Sequence, residues 1–218
     1  MLELVTLTDN EAAAILSAAR TLGPADDALA QLAITAGLRL HEIADLDTND
    51  ITSQHETGRL DGQDVDPDRG PTDLHDETGP NYFVRIGFGK GPRTIPVAQP
   101  ASRALHAWQA GRPSNTPLFP DASTKEQVTA RWKHLLREAG VHRAAGEAGA
   151  LEGGRNRLLR YLLALEAQGV LPYGHAAAYL GLPGTDPREL PPRWHDGVVQ
   201  AIADRPVGQD VGAPTEEE

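Results

Sequence analysis

Residues 35–51, TAGLRLHEIADLDTNDI, place a single arginine between a helix-ending glycine and the first turn of a new helix. Glu42 follows Arg39 by three residues, a spacing at which two side chains lie on the same side of a helix. Four apolar residues are expected to pack around the pair: Leu38, Leu40, Ile43 and Leu46. Two interpretations are open: a structural ion pair that joins two helices, or an arginine that its carboxylate holds in place to bind an anion.

Two helices are predicted before this stretch. Thr8 and Glu11 form a capping box, in which each side chain accepts a hydrogen bond from an unpaired amide at the helix start. The helix that they begin ends at Gly23, and a second helix, ADDALAQLAITA, ends at Gly37. A strand is expected near Ile51, after the short helix that contains HEIADL.

The centre of the chain predicts a β-hairpin. Residues 82–97 contain YFVRIGF, in which apolar and polar side chains alternate, then the turn GKGP, then the second strand RTIPV. The remaining predicted elements are helices at about 98–110, at 123–140 with a cap of Ser123 and Glu126, at 155–169, at 175–182 and at 191–204, and a glycine-rich loop at 144–154.

This order of helices, hairpin and helices predicts a mainly α-helical fold with a small antiparallel β-sheet, of the α+β class. A single domain over residues 1–205 is expected at this chain length. An acidic insertion interrupts it at 52–80, and a disordered acidic tail follows at 206–218. The insertion holds eight acidic residues without the spacing of a calcium-binding loop, so a solvated loop is favoured over a metal site.

The composition excludes several kinds of site. The chain has no cysteine, so neither disulfides nor thiolate metal sites are possible. It shows no long apolar run and no signal-peptide layout, so a cytoplasmic protein without a membrane partner is expected. The histidines show no metal-ligand spacing with a carboxylate, and neither a metal nor a cofactor is expected.

The formal net charge of −11 is unevenly distributed. Residues 1–80 hold 17 acidic and 4 basic side chains (net −13), residues 81–145 hold 3 and 10 (net +7), and residues 146–218 hold 11 and 6 (net −5). Abundant Asp, Ala and Gly with few lysines resembles proteins from a salt-rich cytoplasm or a high-GC genome. Because molar salt shortens the Debye length to about 3 Å, the net charge does not exclude a polyanionic partner, and the basic central third favours one.

Two motifs resemble one family. The pattern Thr-Ala-Gly-Leu-Arg-x-x-Glu, with a later Leu and Asp-Ile, resembles the first arginine box of the tyrosine recombinases, the phage-integrase superfamily. Residues 89–97, GKGPRTIPV, resemble that family's β-hairpin, which carries a catalytic lysine in a Gly-Lys-Gly turn. LFPD, the capped helix and RLLRY follow in the family's order, so the resemblance covers roughly residues 8–185.

The resemblance implies roles for individual residues. Arg39 corresponds to the first catalytic arginine, which binds the scissile phosphate, and Glu42 to the acid that orients it. Lys90 corresponds to the hairpin lysine, which helps to protonate the leaving oxygen. In the family's His-x-x-Arg box, Arg160 takes the place of the second arginine, whereas Arg157 stands where histidine or lysine is expected.

Two later positions depart from the family. Its Leu-Gly-His box reads Leu180-Gly181-Leu182 here, and leucine cannot replace imidazole as a hydrogen-bond donor or proton carrier. The nucleophilic tyrosine is expected near Pro191, but no tyrosine follows Tyr179, and the family's N-terminal core-binding domain is not found. Because strand cleavage in this family needs a positioned phenol, loss of cleavage is expected, and enzyme activity is left open.

Three functional hypotheses follow. The first is a DNA-binding, integrase-like protein, related to site-specific recombination and integration but without cleavage, whose partners are double-stranded DNA and an active recombinase or further copies of itself. The second is an active tyrosine recombinase with a divergent C-terminal segment, and the third is a helical protein-interaction module. Tyr161, Tyr173 and Tyr179 are interpreted as packing or polar-tip residues. The DNA contacts that the first hypothesis implies are Arg39, Lys90, Arg93, Lys125, Arg131, Lys133 and Arg160.

Overall fold

A computed structural model of the chain describes residues 7–53, 82–87, 93–142, 146–182, 198 and 201–202. Helices dominate these ranges and surround a small sheet, which confirms the predicted α+β class. Most of the acidic insertion and the whole acidic tail lie outside the described residues. The elements are α1 Asp9–Leu22, α2 Pro24–Ile34, α3 Leu40–Ala44, β1 Ile51–Ser53, β2 Tyr82–Ile86, β3 Arg93–Pro96, α4 Gln99–Gln109, α5 Lys125–Glu138, α6 Gly146–Ala167 and α7 His175–Leu180.

The sheet has the order β1-β2-β3, and both pairs of neighbours are antiparallel. Val84 on the central strand pairs with Ile51 on one side and with Ile95 on the other, and all three side chains are buried. Arg85, the next residue, points to solvent and pairs with the carboxylate of Asp50 at 2.9 Å. The antiparallel pairing of β2 with β3 confirms the two predicted hairpin strands, whose connecting turn lies outside the described residues.

Helix α2 is the centre of the helical core. It contacts α1, α3, α4 and α6, and every residue from 28 to 34 is buried. Four of the eleven residues of α2 are alanines, and their small side chains let these neighbouring helices pack closely against it. The capping box predicted at Thr8 and Glu11 is present, and α1 ends at Gly23 as expected. The core therefore brings the end of α2, and with it the segment that leads into Arg39, to the middle of the molecule.

The cap predicted for α5 is wrong by one residue. Thr124, not Ser123, is the N-cap, and Gln127 replaces Glu126 as its partner. The hydroxyl of Thr124 accepts from the Gln127 N–H at 3.3 Å, and the Gln127 side chain accepts from the Thr124 N–H at 3.1 Å. The reason is the backbone: Thr124 is extended (φ −121°, ψ 155°), as an N-cap must be, whereas Ser123 is not (φ −89°, ψ 2°).

The loop predicted at 144–154 is also wrong, because α6 already begins at Gly146. Glycine lowers intrinsic helix propensity by about 1 kcal/mol relative to alanine, which made a loop the better expectation. Packing overrides that preference at Gly154, where a β-carbon would lie 3.4 Å from both Ala33 O and Ile34 Cα. The absence of a side chain at this position lets α6 lie close against α2.

Candidate functional site

Arg39 lies at the start of α3, where the chain turns away from α2. Gly37 makes the turn possible, because its φ of +66° falls in the left-handed region that glycine adopts without strain. A β-carbon at Gly37 would lie 2.8 Å from Leu180 Cδ2 and 2.9 Å from Leu158 Cδ2. The glycine therefore lets α6 and α7 pack directly against the segment that leads into Arg39.

Glu42 holds the start of α3 with both carboxylate oxygens. Its Oε2 accepts from the main-chain N–H of Arg39 at 2.8 Å, and its Oε1 accepts from Nη2 of Arg93 at 2.8 Å. The side chains of Glu42 and Arg93 are 9% and 10% exposed. The ion pair considered for Glu42 and Arg39 is thus formed with Arg93 of β3, because the Arg39 guanidinium turns toward α7 and presents its main-chain N–H to the carboxylate.

Three arginines converge on the C-terminal end of α7. The last carbonyl groups of a helix have no partner within it and carry the negative end of the helix dipole, which favours cations. We call the three side chains the arginine cap. Three consecutive carbonyl oxygens each accept from a different member: Tyr179 from Nε of Arg93 (3.0 Å), Leu180 from Nη2 of Arg155 (2.8 Å), and Gly181 from Nη2 of Arg39 (3.4 Å).

Gly181 is required for this arrangement in two ways. Its φ of +63° ends α7 in the left-handed conformation, with the Leu182 N–H donating to Ala177 O at 3.0 Å. A β-carbon at Gly181 would also lie 2.8 Å from Nη1 and 3.0 Å from Cζ of Arg93. The glycine of the Leu180-Gly181-Leu182 box therefore both closes the helix and makes room for a guanidinium.

Two of the three tyrosines considered are packing residues, as predicted. The buried Tyr179 donates its hydroxyl to Pro96 O at 2.6 Å, and Tyr161 donates its hydroxyl to Ala201 O at 2.5 Å. Of the packing or polar-tip role predicted for Tyr173, the packing alternative does not hold, because this residue is 96% exposed. It lies in the turn between α6 and α7, where its ring projects from the surface.

The three arginines of the cap differ in burial and in the strength of their hydrogen bonds. Arg155 is 3% exposed and donates from Nη1 to Gly37 O at 2.5 Å in addition to its bond to Leu180. Arg93 is fixed by its ion pair with Glu42. Arg39 is partly exposed, and its 3.4 Å hydrogen bond to Gly181 is long and therefore weak. Arg39 is the member best placed to exchange a protein acceptor for an external anion.

The two arginines of the His-x-x-Arg spacing lie on other faces of α6. Arg157 donates from Nε to Asp9 Oδ1 at 2.7 Å and so attaches α6 to α1. Arg160 is exposed, and at 3.6 residues per turn it lies about 200° around the helix from Leu158, which packs against Gly37. The structure therefore does not bring Arg160 to the arginine cap, and its DNA contact stays a prediction for a separate surface.

The other predicted contacts are spread over the basic third. Lys90 lies outside the described residues. Arg131 donates to both carboxylate oxygens of Asp26, at 2.6 and 3.0 Å, and this hydrogen bonding raises the pKa of Arg131 above its usual value. Lys125 and Lys133 are exposed on α5. A DNA contact by Arg131 therefore has to compete with Asp26.

Arg155 is the member of the site that the sequence interpretation missed. Leu158 and Leu162 follow it at three and seven residues, so Arg155 falls on the buried stripe of α6. Gly154 beside it lets the helix approach Ala33 closely enough to bury a long side chain. The sequence did contain a signal: this arginine occupies a position in the apolar repeat of the helix and follows a glycine.

The described ranges hold no group of three His, Asp or Glu side chains that could bind a metal ion. No helix within those ranges is both long and apolar enough to cross a bilayer. The site consists of guanidinium groups that donate to carbonyl and carboxylate oxygens. Guanidinium groups also bind oxyanions such as phosphate.

A family profile described as the phage integrase family matches residues 5–148, more than half of the 218 residues. The chain belongs to the phage integrase family. The match confirms the resemblance seen in the sequence and relates this integrase-family chain to site-specific recombination and integration of DNA. It includes Arg39, Glu42 and Arg93 but ends before Arg155 and Gly181. Searches of curated proteins and of solved structures gave no match.

Proposed function

We propose that this integrase-family chain binds the phosphate backbone of double-stranded DNA at Arg39 and does not cleave the strand. The observation that carries the proposal is the way in which the main chain and the guanidinium of Arg39 are bound. Its main chain is fixed by Glu42, while its partly exposed guanidinium has a weak acceptor at 3.4 Å. A planar guanidinium that is held in place can donate two parallel hydrogen bonds to a phosphate, which makes arginine well suited to this partner.

The surface beside Arg39 supports the same proposal. Helix α5 packs against α3, which begins directly after Arg39. Lys125, Lys133 and Arg137 are exposed along α5, within the central third whose net charge is +7. Exposed cations near an anchoring arginine extend a phosphate-binding surface along a duplex, and such contacts position the protein without reading the sequence.

Loss of cleavage is supported by the chemistry around the cap. Leu182 stands where the family has an imidazole, and residues 180–218 contain no tyrosine. The hydroxyl groups of Tyr161 and Tyr179 donate to carbonyl groups. The arginine cap can neutralise a phosphate, but within the described residues it contains neither a positioned nucleophile nor a proton carrier.

Replacing Arg39 by alanine is expected to weaken binding of a short duplex by about 10- to 100-fold, the range of a charge-assisted hydrogen bond. The loss of affinity should be nearly equal for unrelated sequences, because a phosphate contact carries no sequence information. The slope of log K against log salt should fall by about 0.9 for each phosphate that the variant no longer neutralises. Fluorescence anisotropy titrations at several salt concentrations measure both quantities.

Arg20→Ala is the matched control, because it removes an exposed arginine from α1 in the acidic first 80 residues. It should leave the affinity within about twofold, because Arg20 pairs with Asp27 and not with a group of the arginine cap. If Arg39→Ala binds like the wild type at matched salt, the proposed contact is wrong. If the wild type shows no salt-dependent binding, the helical interaction module becomes the better hypothesis.

The chain is expected to form no covalent adduct with DNA. The assay uses nicked duplexes, which trap a 3′-phosphotyrosyl intermediate wherever cleavage falls beside the nick, and resolves the products on a denaturing gel. An active tyrosine recombinase run in parallel shows that the substrate is competent. A shifted band would support the active-recombinase hypothesis instead, and Tyr173→Phe would then test the exposed tyrosine as its source.

A further inference from the structure

Arg93 contacts both groups that support Arg39. Through Nη2 it binds Oε1 of Glu42, whose Oε2 accepts from the Arg39 main chain. Through Nε it binds the carbonyl of Tyr179, two residues before the Gly181 carbonyl that accepts from the Arg39 guanidinium. Glu42 thus holds the main chain of Arg39 and the end of α7 holds its side chain, and Arg93 binds both Glu42 and α7.

Arg93 is itself poorly placed to touch DNA. Its side chain is 10% exposed, and its Nη1 lies against Gly181, 2.8 Å from the position that a β-carbon there would occupy. A direct phosphate contact through Nε or Nη2 would require Arg93 to give up its bond to Tyr179 or its nearly buried ion pair with Glu42. Breaking such a pair leaves an uncompensated buried carboxylate, which is strongly unfavourable.

We propose that Arg93 is a positioning residue, which holds Arg39 in the orientation that binds phosphate and makes no DNA contact of its own. This inference rests on the proposed binding role of Arg39 and replaces the direct DNA contact that the first functional hypothesis implied for Arg93. The hairpin strand β3 thereby takes part in the site through its first residue, whether or not its turn reaches the DNA.

The two bonds explain why the residue is an arginine. Nε and Nη2 lie on the same edge of a rigid plane and donate to Tyr179 and Glu42 at the same time. A lysine has one ammonium group on a flexible stem, so it can keep the attraction to Glu42 but loses the fixed geometry toward α7. Arg93→Lys should therefore give an effect between that of the wild type and that of Arg93→Met.

A double-mutant cycle separates positioning from direct contact. Duplex affinity is measured for the wild type, Arg39→Ala, Arg93→Met and the double variant, each corrected for its folded fraction at a temperature where all are folded. Arg93→Met is expected to lower the affinity by about 3- to 30-fold in the wild-type background, within the range for coupled neighbours. In the Arg39→Ala background the same change should have less than about a twofold effect.

Other outcomes overturn the inference in distinguishable ways. Additive decreases in affinity, with a salt slope that falls by a further amount of about 0.9, would make Arg93 a direct phosphate contact. Unchanged affinity at matched folded fraction would make its role purely structural. If Arg39→Ala itself has no effect, the proposed function fails first, independently of Arg93.

Arg85→Met is the matched control for general loosening of the hairpin. Arg85 lies on the neighbouring strand β2 and also pairs with an acidic residue, Asp50, whose side chain is 7% exposed. It contacts neither Glu42 nor α7 in the described hydrogen bonds. Its replacement should leave the DNA affinity per folded molecule within about twofold. If it reproduces the non-additive decrease, loosening of the hairpin explains the result and the inference is wrong.

Discussion

Replacing Glu42 by alanine is expected to lower the free energy of unfolding by about 3–5 kcal/mol, the range for breaking a buried ion pair by removing one partner. Two groups lose their acceptor at once. The nearly buried guanidinium of Arg93 keeps its charge without a carboxylate, and the main-chain N–H of Arg39, the residue just before α3, loses its acceptor. The change should therefore cost much more than removal of an ordinary surface acid.

Equilibrium unfolding in urea, followed by far-UV circular dichroism, measures this effect. Glu138→Ala is the control, because Glu138 is 51% exposed and its partner at 3.7 Å is the exposed His134. It should change the free energy of unfolding by no more than about 0.5 kcal/mol. Equal effects at Glu42 and Glu138 would mean that the pair with Arg93 contributes no more than a surface contact.

Replacing Arg155 by alanine is expected to be about as destabilising, by roughly 3–5 kcal/mol. Its long side chain is 3% exposed, so truncation leaves a cavity between α6 and its neighbours. The carbonyl groups of Gly37 and Leu180 also lose a charged donor, and a buried acceptor left unpaired is unfavourable. The two costs add because they arise from different parts of the side chain.

Arg160→Ala provides the matched control on the same helix. It removes the same side chain from the exposed face of α6, five residues away, and should alter the free energy of unfolding by no more than about 0.5 kcal/mol. Thermal unfolding of both variants in the same buffer gives the comparison. A destabilisation at Arg160 that matches the one at Arg155 would contradict the orientation of α6 described above.

The fold could be predicted well where local pattern and tertiary packing agree. The strand predicted at residues 82–86 and the capping box predicted at Thr8 are both present, although residues 82–84 are all buried and do not alternate. Pattern and packing disagree at residues 146–154, where glycine content favours a loop but contact with α2 favours a helix. Sequence reasoning had no means to see that contact, because it depends on residues more than a hundred positions away.

The site could be predicted only in part. Arg39 and Glu42 lie together as their spacing suggested, although the carboxylate pairs with a guanidinium 51 residues further along the chain. Motif spacing selected Arg160, but motif spacing carries no information on which face of a helix is buried. The apolar positions of α6 do carry it, since Leu158 and Leu162 mark the buried side and place Arg155 there.

Tyr179 is hydrogen-bonded to β3 through two different groups, so that β3 and α7, which are distant in the sequence, are held together. Its carbonyl and its hydroxyl are both bound to β3, at residues 86 and 83 positions earlier in the sequence. A displacement of β3 is therefore expected to move the end of α7, where the Gly181 carbonyl accepts from the guanidinium of Arg39.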